Sequence, residues 1–137
     1  MPPMASPSAK PDAMSAPAST PPLATLDDLR ERLRRFAQAR DWDQFHSPKN
    51  LAMALIAEAA ELLEHFQWLT EAQSAALSPE KRSAVADELA DVLVYTVRLA
   101  DKLGIDLLAA AASKMERNEA KYPAAQVRGS ARKYDEY

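Results

Sequence analysis

Two short acidic pairs carry most of the chemistry this chain can do. Glu58 and Glu61 form an E-x-x-E, and Glu88 and Asp91 form an E-x-x-D thirty positions later. Both lie in apolar segments, Leu51 to Phe66 and Ala84 to Leu103, that read as helices. A helix turns about 100° per residue, so positions i and i+3 leave one face roughly 60° apart. Each helix therefore carries two carboxylates side by side, and packing the helices together makes four carboxylates converge. Four close acids repel unless a cation sits between them. Hard divalent ions such as Mg²⁺ prefer oxygen ligands of this kind. The spacing predicts an acid-lined Mg²⁺ site inside a helical bundle.

Acidic pairs more often decorate a solvated helix face. The wheel argues against that here. Around Glu88, Tyr95 and Leu99 fall about 20° to either side, with Val92, Val85 and Leu103 within about 60°. Around Glu58, Leu51, Leu55 and Leu62 fall within about 60°. Acids set into apolar stripes are costly to bury without a partner. Two such stripes favour an acidic cluster that binds a cation.

The elements that must position these acids are all helical. Only two glycines occur, Gly104 and Gly129, strand-like alternation is absent, and Ala, Leu, Glu and Arg dominate. The expected fold class is all-α, a four-helix bundle. Thr25 caps a first helix that runs to about Arg40, with Asp27 and Asp28 in its first turn. A connection follows over Asp41 to Asn50. Ser47 and Pro48 open a second helix that ends near Trp68, and Thr70 to Leu77 forms a looser loop. Ser78 and Pro79 open a third helix, which Gly104 stops. Asp106 starts a fourth, which ends near Tyr122 because Pro123 follows.

Seven of the ten prolines fall within residues 1–22, a stretch otherwise mainly Ala, Ser, Thr and Met. It is expected to be a disordered tail, since it cannot bury enough surface to offset its ordering entropy. Residues 23–137 are expected to form one domain. The absence of cysteine excludes disulfides, thiolate nucleophiles and Cys-ligated metals, and suits a cytoplasmic setting. A net charge of −3 gives no general attraction to nucleic acid. Glu58 and Glu61 interrupt the best apolar run, so no membrane span is expected.

Aromatic residues adjoin the acids in sequence. Trp42, Phe45 and His46 precede the second helix, Phe66 and Trp68 end it, and Tyr95 lies one turn beyond Asp91. Most aromatics pack in cores, but Trp42 and Trp68 lie in or beside connections, where flat rings can stack on a nucleobase. His46 and His65 have ordinary readings as a loop residue and a helix-surface residue. Lys114, Asn118 and Lys121 share one face of the fourth helix, and Arg128, Arg132 and Lys133 follow in the tail. Opposite a carboxylate–Mg²⁺ cluster, those cations would neutralise a polyphosphate.

Taken in order, these segments resemble a known family. The residues that carry the likeness are Arg40-Asp41-Trp42-Asp43-Gln44-Phe45-His46, Pro48-Lys49-Asn50-Leu51, Glu58-Ala59-Ala60-Glu61-Leu62 and Phe66-Gln67-Trp68. They continue through Asp87-Glu88-Leu89-Ala90-Asp91-Val92-Leu93-Val94-Tyr95, then Lys114-Met115, Asn118, Tyr122, Pro123, Ser130, Lys133 and Tyr134. Over about Leu26 to Tyr134 the chain resembles the MazG-like all-α nucleoside triphosphate pyrophosphohydrolases, on the dCTP pyrophosphatase branch. The resemblance implies that Glu58, Glu61, Glu88 and Asp91 are the metal ligands and catalytic acids, with Mg²⁺ as cofactor. It implies a nucleoside pocket from Trp42, Asp43, Gln44, Phe45, His46, Trp68 and Tyr95, and phosphate contacts from Lys114, Asn118 and Lys133. Leu33 stands where dCTP-selective animal members are expected to carry a polar or aromatic base contact, so strict cytosine selectivity is not implied. Homo-oligomers are implied too, commonly tetramers built as dimers of dimers, with the site completed by neighbouring chains.

The expected activity is Mg²⁺-dependent hydrolysis of a (deoxy)nucleoside triphosphate, dCTP or a modified analogue, to monophosphate and pyrophosphate. The general base is one of the four acids or a neighbour such as Glu64. Two other readings compete. A di-iron carboxylate bundle needs Glu-x-x-His, and no histidine lies three residues after any glutamate. A non-catalytic helical interaction module explains the helices but not the acids set into apolar stripes.

Overall fold

The computed structural model describes residues 20–136. Residues 1–19, most of the expected tail, lie outside them. Among the described residues every regular element is helical: α1 (Leu26–Ala39), α2 (Pro48–Glu64), α3 (Glu71–Ser74), α4 (Pro79–Leu103), α5 (Leu107–Lys121) and α6 (Ala124–Val127), with 3₁₀ turns at Asp43–Phe45 and Tyr134–Glu136. The all-α expectation is met.

Helix starts follow the chemistry of the chain. Thr25 Oγ1 accepts from the Asp28 N–H at 3.0 Å, and Asp28 Oδ2 accepts from the Thr25 N–H at 3.1 Å, a closed capping box. Ser47 and Ser78 cap α2 and α4, each with proline at the first helical position. Asp106 caps α5. Gly104 ends α4 at φ 65°, ψ 30°, a left-handed backbone that glycine adopts without steric cost.

Two stretches differ from the sequence expectation. The second helix ends at Glu64, not near Trp68. Beyond it the Phe66 and Gln67 N–H groups both donate to the Leu63 carbonyl, and Leu69 donates to Phe66. These tight turns swing Trp68 off the helix axis. The loop after it contains α3, made possible by a second capping box between Thr70 and Gln73.

Packing is dominated by α2 on α4, then α1 on α4, then α1 on the 43–45 turn. Leu51, Val85, Val97, Ala100 and Ala37 fill the small core. The fourth long helix, α5, lies largely apart, with Leu108 and Met115 exposed. Within one chain the bundle therefore consists chiefly of α1, α2 and α4. The reason is the pattern on α5, where the run Leu107 to Ala112 offers mostly methyl groups to a neighbour.

An ionic chain ties α1, α4 and the 43–45 turn. Arg34 Nε donates to Asp101 Oδ2 at 2.8 Å, Arg98 Nη1 donates to the same oxygen at 3.2 Å, and Arg98 Nη2 donates to Asp43 Oδ1. Lys102 Nζ also reaches Asp43 Oδ1, at 2.6 Å. The Arg98 and Asp101 side chains are only 5% and 7% exposed. The hydrogen bond from Arg34 holds the Asp101 carboxyl below its ordinary value, and the bonds from Lys102 and Arg98 do the same for Asp43. Both carboxylates thus add stability that is complete above pH 3.8 and is lost as pH falls through their depressed values. Asp101→Ala is expected to cost about 3 kcal/mol, since it takes one of two carboxylates from the buried Arg98 guanidinium. Urea unfolding at neutral pH checks this, and a loss no larger than that of an exposed ion pair would refute it.

Candidate metal and nucleotide site

The packing of α2 on α4 decides where the acids go. Leu51 buries one end of the α2 stripe, and Val85 and Val97 do the same for α4. Glu58, between these anchors, is drawn against Glu88 and Asp91. One carboxylate oxygen from each lies within 4.8 Å of the other two. Glu58 and Glu88 are half-buried and Asp91 is exposed, so the cluster opens to solvent along one side.

Glu61 lies outside that tightest triangle but adjoins it. Burial raises the Glu58 carboxyl above its ordinary value, and the charges of Glu61, Asp91 and Glu88 push it further the same way. Burial also raises the Tyr95 phenol, with Glu58 and Asp91 adding to the effect. Tyr95 therefore keeps its proton and stands beside the acids as a hydrogen-bond donor.

The donor set fits a hard divalent cation. It consists of carboxylate oxygens alone, from two helices. Beside them, His65 Nε2 lies 3.6 Å from Glu88 Oε1. Sequence reasoning treated His65 as a surface residue. Its position held the signal, because His65 follows Glu58 by seven residues and Glu61 by four, which places all three on one face.

The segment from Trp42 to His46 divides in the structure. The Trp42 ring packs edge-on against Phe36, with centroids 5.7 Å apart, so one edge of it is engaged within the chain. Asp43 is engaged by Arg98 and Lys102. Gln44 donates to Asp41 Oδ2 at 2.8 Å, bracing a residue whose φ is +52°. Phe45 is exposed and His46 half-buried. Sequence reasoning did not single out Arg98, Asp101, Lys102 or Arg34. An arginine seven residues after Asp91, about 20° round the helix from it, was the available sign.

Trp68 is 87% exposed, the barest large hydrophobic side chain among the described residues. Lys114 is exposed and Asn118 half-buried on α5, which has no extensive packing on α2 or α4. Lys133 lies in the C-terminal segment that folds back on the end of α5, where Tyr134 meets Tyr122 edge-on and Lys121 face-on. Packing between helices of one chain does not bring Lys114, Asn118 or Lys133 against the carboxylates. A cleft of about 610 Å³ opens where α1 begins and α4 meets α5. Its lining includes Arg30, Arg34 and Asp101 but none of the sequence-predicted site residues.

An all-α chain with an oxygen-only acidic cluster between two paired helices, with a tyrosine and a histidine beside it, belongs to the class of helical carboxylate-centre proteins. Residues 54–137 match the MazG-like family, and the chain belongs to that family. It is 46% identical over 124 residues to the dCTP pyrophosphatase 1 of Rattus norvegicus, covering 89% of this chain and 73% of the relative. It is 47% identical over 117 residues to the protein of that name from Homo sapiens, covering 84% and 69%. Among solved structures it resembles a pyrophosphatase from Archaeoglobus fulgidus, with a TM-score of 0.69 and 37% identity over 77% of this chain and 99% of that one.

Proposed function

We propose that this protein hydrolyses a (deoxy)nucleoside triphosphate, dCTP or a close analogue, to the monophosphate and pyrophosphate with Mg²⁺. The observation that carries this reading is the convergence of Glu58, Glu88 and Asp91 oxygens within 4.8 Å between α2 and α4. The dCTP pyrophosphatases among the relatives supply the substrate class. Glu58, Glu88 and Asp91, with Glu61 beside them, would hold the ion. Once bound, Mg²⁺ supplies charge neutralisation for the triphosphate and polarisation at the reacting phosphorus. The residues of the chain do the rest. The carboxylates accept the proton of an attacking water, the Tyr95 hydroxyl donates to a phosphate or sugar oxygen, and Trp68 presents a face to the base.

Oligomer formation belongs to the same reading. Met53, Ile56 and Leu63 line one face of α2, about 160° round the helix from Glu58 at Ile56, and Ile56 is 69% exposed. Leu89 and Leu93 form a similar exposed row on α4. Rows of this size usually mark an interface. A second copy covering them would also bring a further α5, with Lys114 and Asn118, within reach of a site. A dimer of dimers satisfies both rows. Among the described residues no helix is long and apolar enough to cross a membrane. A cytoplasmic setting completes the reading, since that is where nucleotide pools are cleared.

A panel of ordinary and modified triphosphates with Mg²⁺, followed by pyrophosphate release, tests the activity. Inertness towards all of them would sink it and favour the interaction module. Trp68→Ala tests the base subsite. The indole buries little in the chain, so unfolding should be unchanged. Stacking on a base contributes on the order of 1–3 kcal/mol, so nucleotide affinity should fall by roughly ten- to a hundredfold. Calorimetric titration with a non-hydrolysable triphosphate reads it, and unaltered affinity would remove Trp68 from the site.

A further inference from the structure

The Arg98 guanidinium makes three hydrogen bonds. Nη1 donates to Asp101 on its own helix, Nη2 donates to Asp43 on the 43–45 turn, and Nε donates to His46 Nδ1 at 3.2 Å. Lys102, one turn along α4, shares Asp43 with it. Arg34 on α1 holds Asp101 from the other side. A guanidinium has no lone pair to give, so every one of its contacts is a donation. The ring atom facing Arg98 Nε must therefore be a nitrogen with a free lone pair. That fixes which nitrogen of His46 is bare.

We propose that Arg98 is a positioning residue that locks His46 as the neutral imidazole with its proton on Nε2, giving the 42–46 turn a fixed hydrogen-bond donor for the nucleoside. This rests on the reading of that turn as the nucleoside side of the site. Three observations support it. Among the described residues no group accepts from His46 Nε2, and that atom is not a buried orphan, so it faces open space. The guanidinium is 5% exposed and reaches across 52 residues of sequence to make this bond. Finally, Asp91 and Arg98 lie seven residues apart on one face of α4, about 10.5 Å along the axis, a distance that a bound nucleotide spans. A cation at the metal end and a donor at the other would read the two ends of one substrate.

Charge reinforces the geometry. Protonating Nδ1 would set an imidazolium against Arg98, with Lys102 nearby and Asp43 as the opposing carboxylate. Burial, then Arg98, lowers the His46 imidazole from its ordinary value of 6.5, and Lys102 adds to this while Asp43 opposes it. The donor state therefore persists as pH falls below 6.5, where a free histidine would become a cation. Arginine suits the task better than lysine because its planar fork serves three acceptors at once.

The test uses the full chain with ¹⁵N-labelled histidine. In the wild-type protein at neutral pH, His46 should show a pyridine-type Nδ1 and a pyrrole-type Nε2, assigned against His46→Gln. Arg98→Lys keeps the positive charge but not the fork. It should mix the two tautomers, raise KM for the triphosphate about tenfold, and leave kcat and metal affinity nearly unchanged. In a cycle with His46→Gln, the two KM effects should be far from additive. A proton on Nδ1 in the wild-type protein overturns the inference even if the variant does not fold. Unmixed tautomers in Arg98→Lys, or additive KM effects, overturn it as well. These outcomes separate cleanly from the functional reading. A protein inert towards all triphosphates fails that reading, while an active one with Nδ1–H on His46 fails only this inference.

Discussion

Glu58→Gln and Glu88→Gln are each expected to abolish turnover while leaving the fold intact. Even residues one bond removed from a metal often change affinity or activity by about 10–100-fold, so loss of a direct ligand should cost at least about 100-fold. Glutamine keeps the volume and one oxygen but not the charge that a hard cation selects. The stability effect has the opposite sign. Burial and the neighbouring acids raise the Glu58 carboxyl above 4.5, so its ionisation is disfavoured in the folded protein. The stabilisation tied to the protonated form is present at low pH and is lost as pH rises from 4.5 through the raised value. Glu58→Gln removes that loss. Without metal, its thermal midpoint at neutral pH should equal or exceed that of the wild type, and the wild-type advantage from added Mg²⁺ should disappear. Near-normal turnover in both variants would show that the reaction centre lies elsewhere. A variant that neither turns over nor folds would show that Glu58 or Glu88 is structural.

The fold was largely written in local signals. Thr25, Ser47-Pro48, Ser78-Pro79, Gly104 and Asp106 mark helix ends by chemistry that operates within four residues, so the four long helices could be placed without tertiary knowledge. The end of α2 could not. Helix propensity carries Glu64 onward to Phe66, and only the packed arrangement makes the chain tighten there and free Trp68. The carboxylate cluster was legible because acids set into apolar stripes are anomalous on a wheel. The Arg34–Asp101–Arg98–Asp43 chain was not, since its partners are up to 67 residues apart and nothing local links them. The same non-local contact changed the meaning of the 42–46 turn. From sequence, Trp42 and Asp43 looked equivalent to His46 as nucleoside contacts. In the structure Trp42 leans on Phe36 and Asp43 is committed to Arg98 and Lys102, which leaves His46 and Phe45 as the turn's outward groups. The surplus of exposed aliphatic side chains on α2 and α4 shows a related limit. A wheel reveals two apolar faces but not which one a single chain covers.

With dCTP, Mg²⁺ and ¹⁸O-labelled water, the label is expected in dCMP, with none in pyrophosphate and no accumulation of dCDP and orthophosphate. The geometry supports this bond over the terminal one. Tyr95 on α4 lies near the carboxylates, and Trp68, the proposed base platform, follows Glu61 by seven residues in sequence. Tyr95 feels the charges of Glu58 and Asp91, which places its hydroxyl beside them. A nucleoside held against such groups puts the first phosphate in the chain, the α-phosphate, over the acids. The β- and γ-phosphates would then point away from α2 and α4, towards Lys114 and Lys133 of a neighbouring copy in the proposed oligomer. Water attack on the α-phosphorus forms a P–O bond to dCMP, breaks the bond to the bridging oxygen, and sends that electron pair out with pyrophosphate. Attack at the γ-phosphorus would need the acids to sit at the far end of the triphosphate, about two phosphate units from the base subsite. Mass spectrometry of the separated products decides between them. Label confined to pyrophosphate would mean attack at the β-phosphorus, and labelled orthophosphate attack at the γ-phosphorus. Either result would overturn the placement of the nucleoside at Trp68 and Tyr95 while leaving the metal ligands in place.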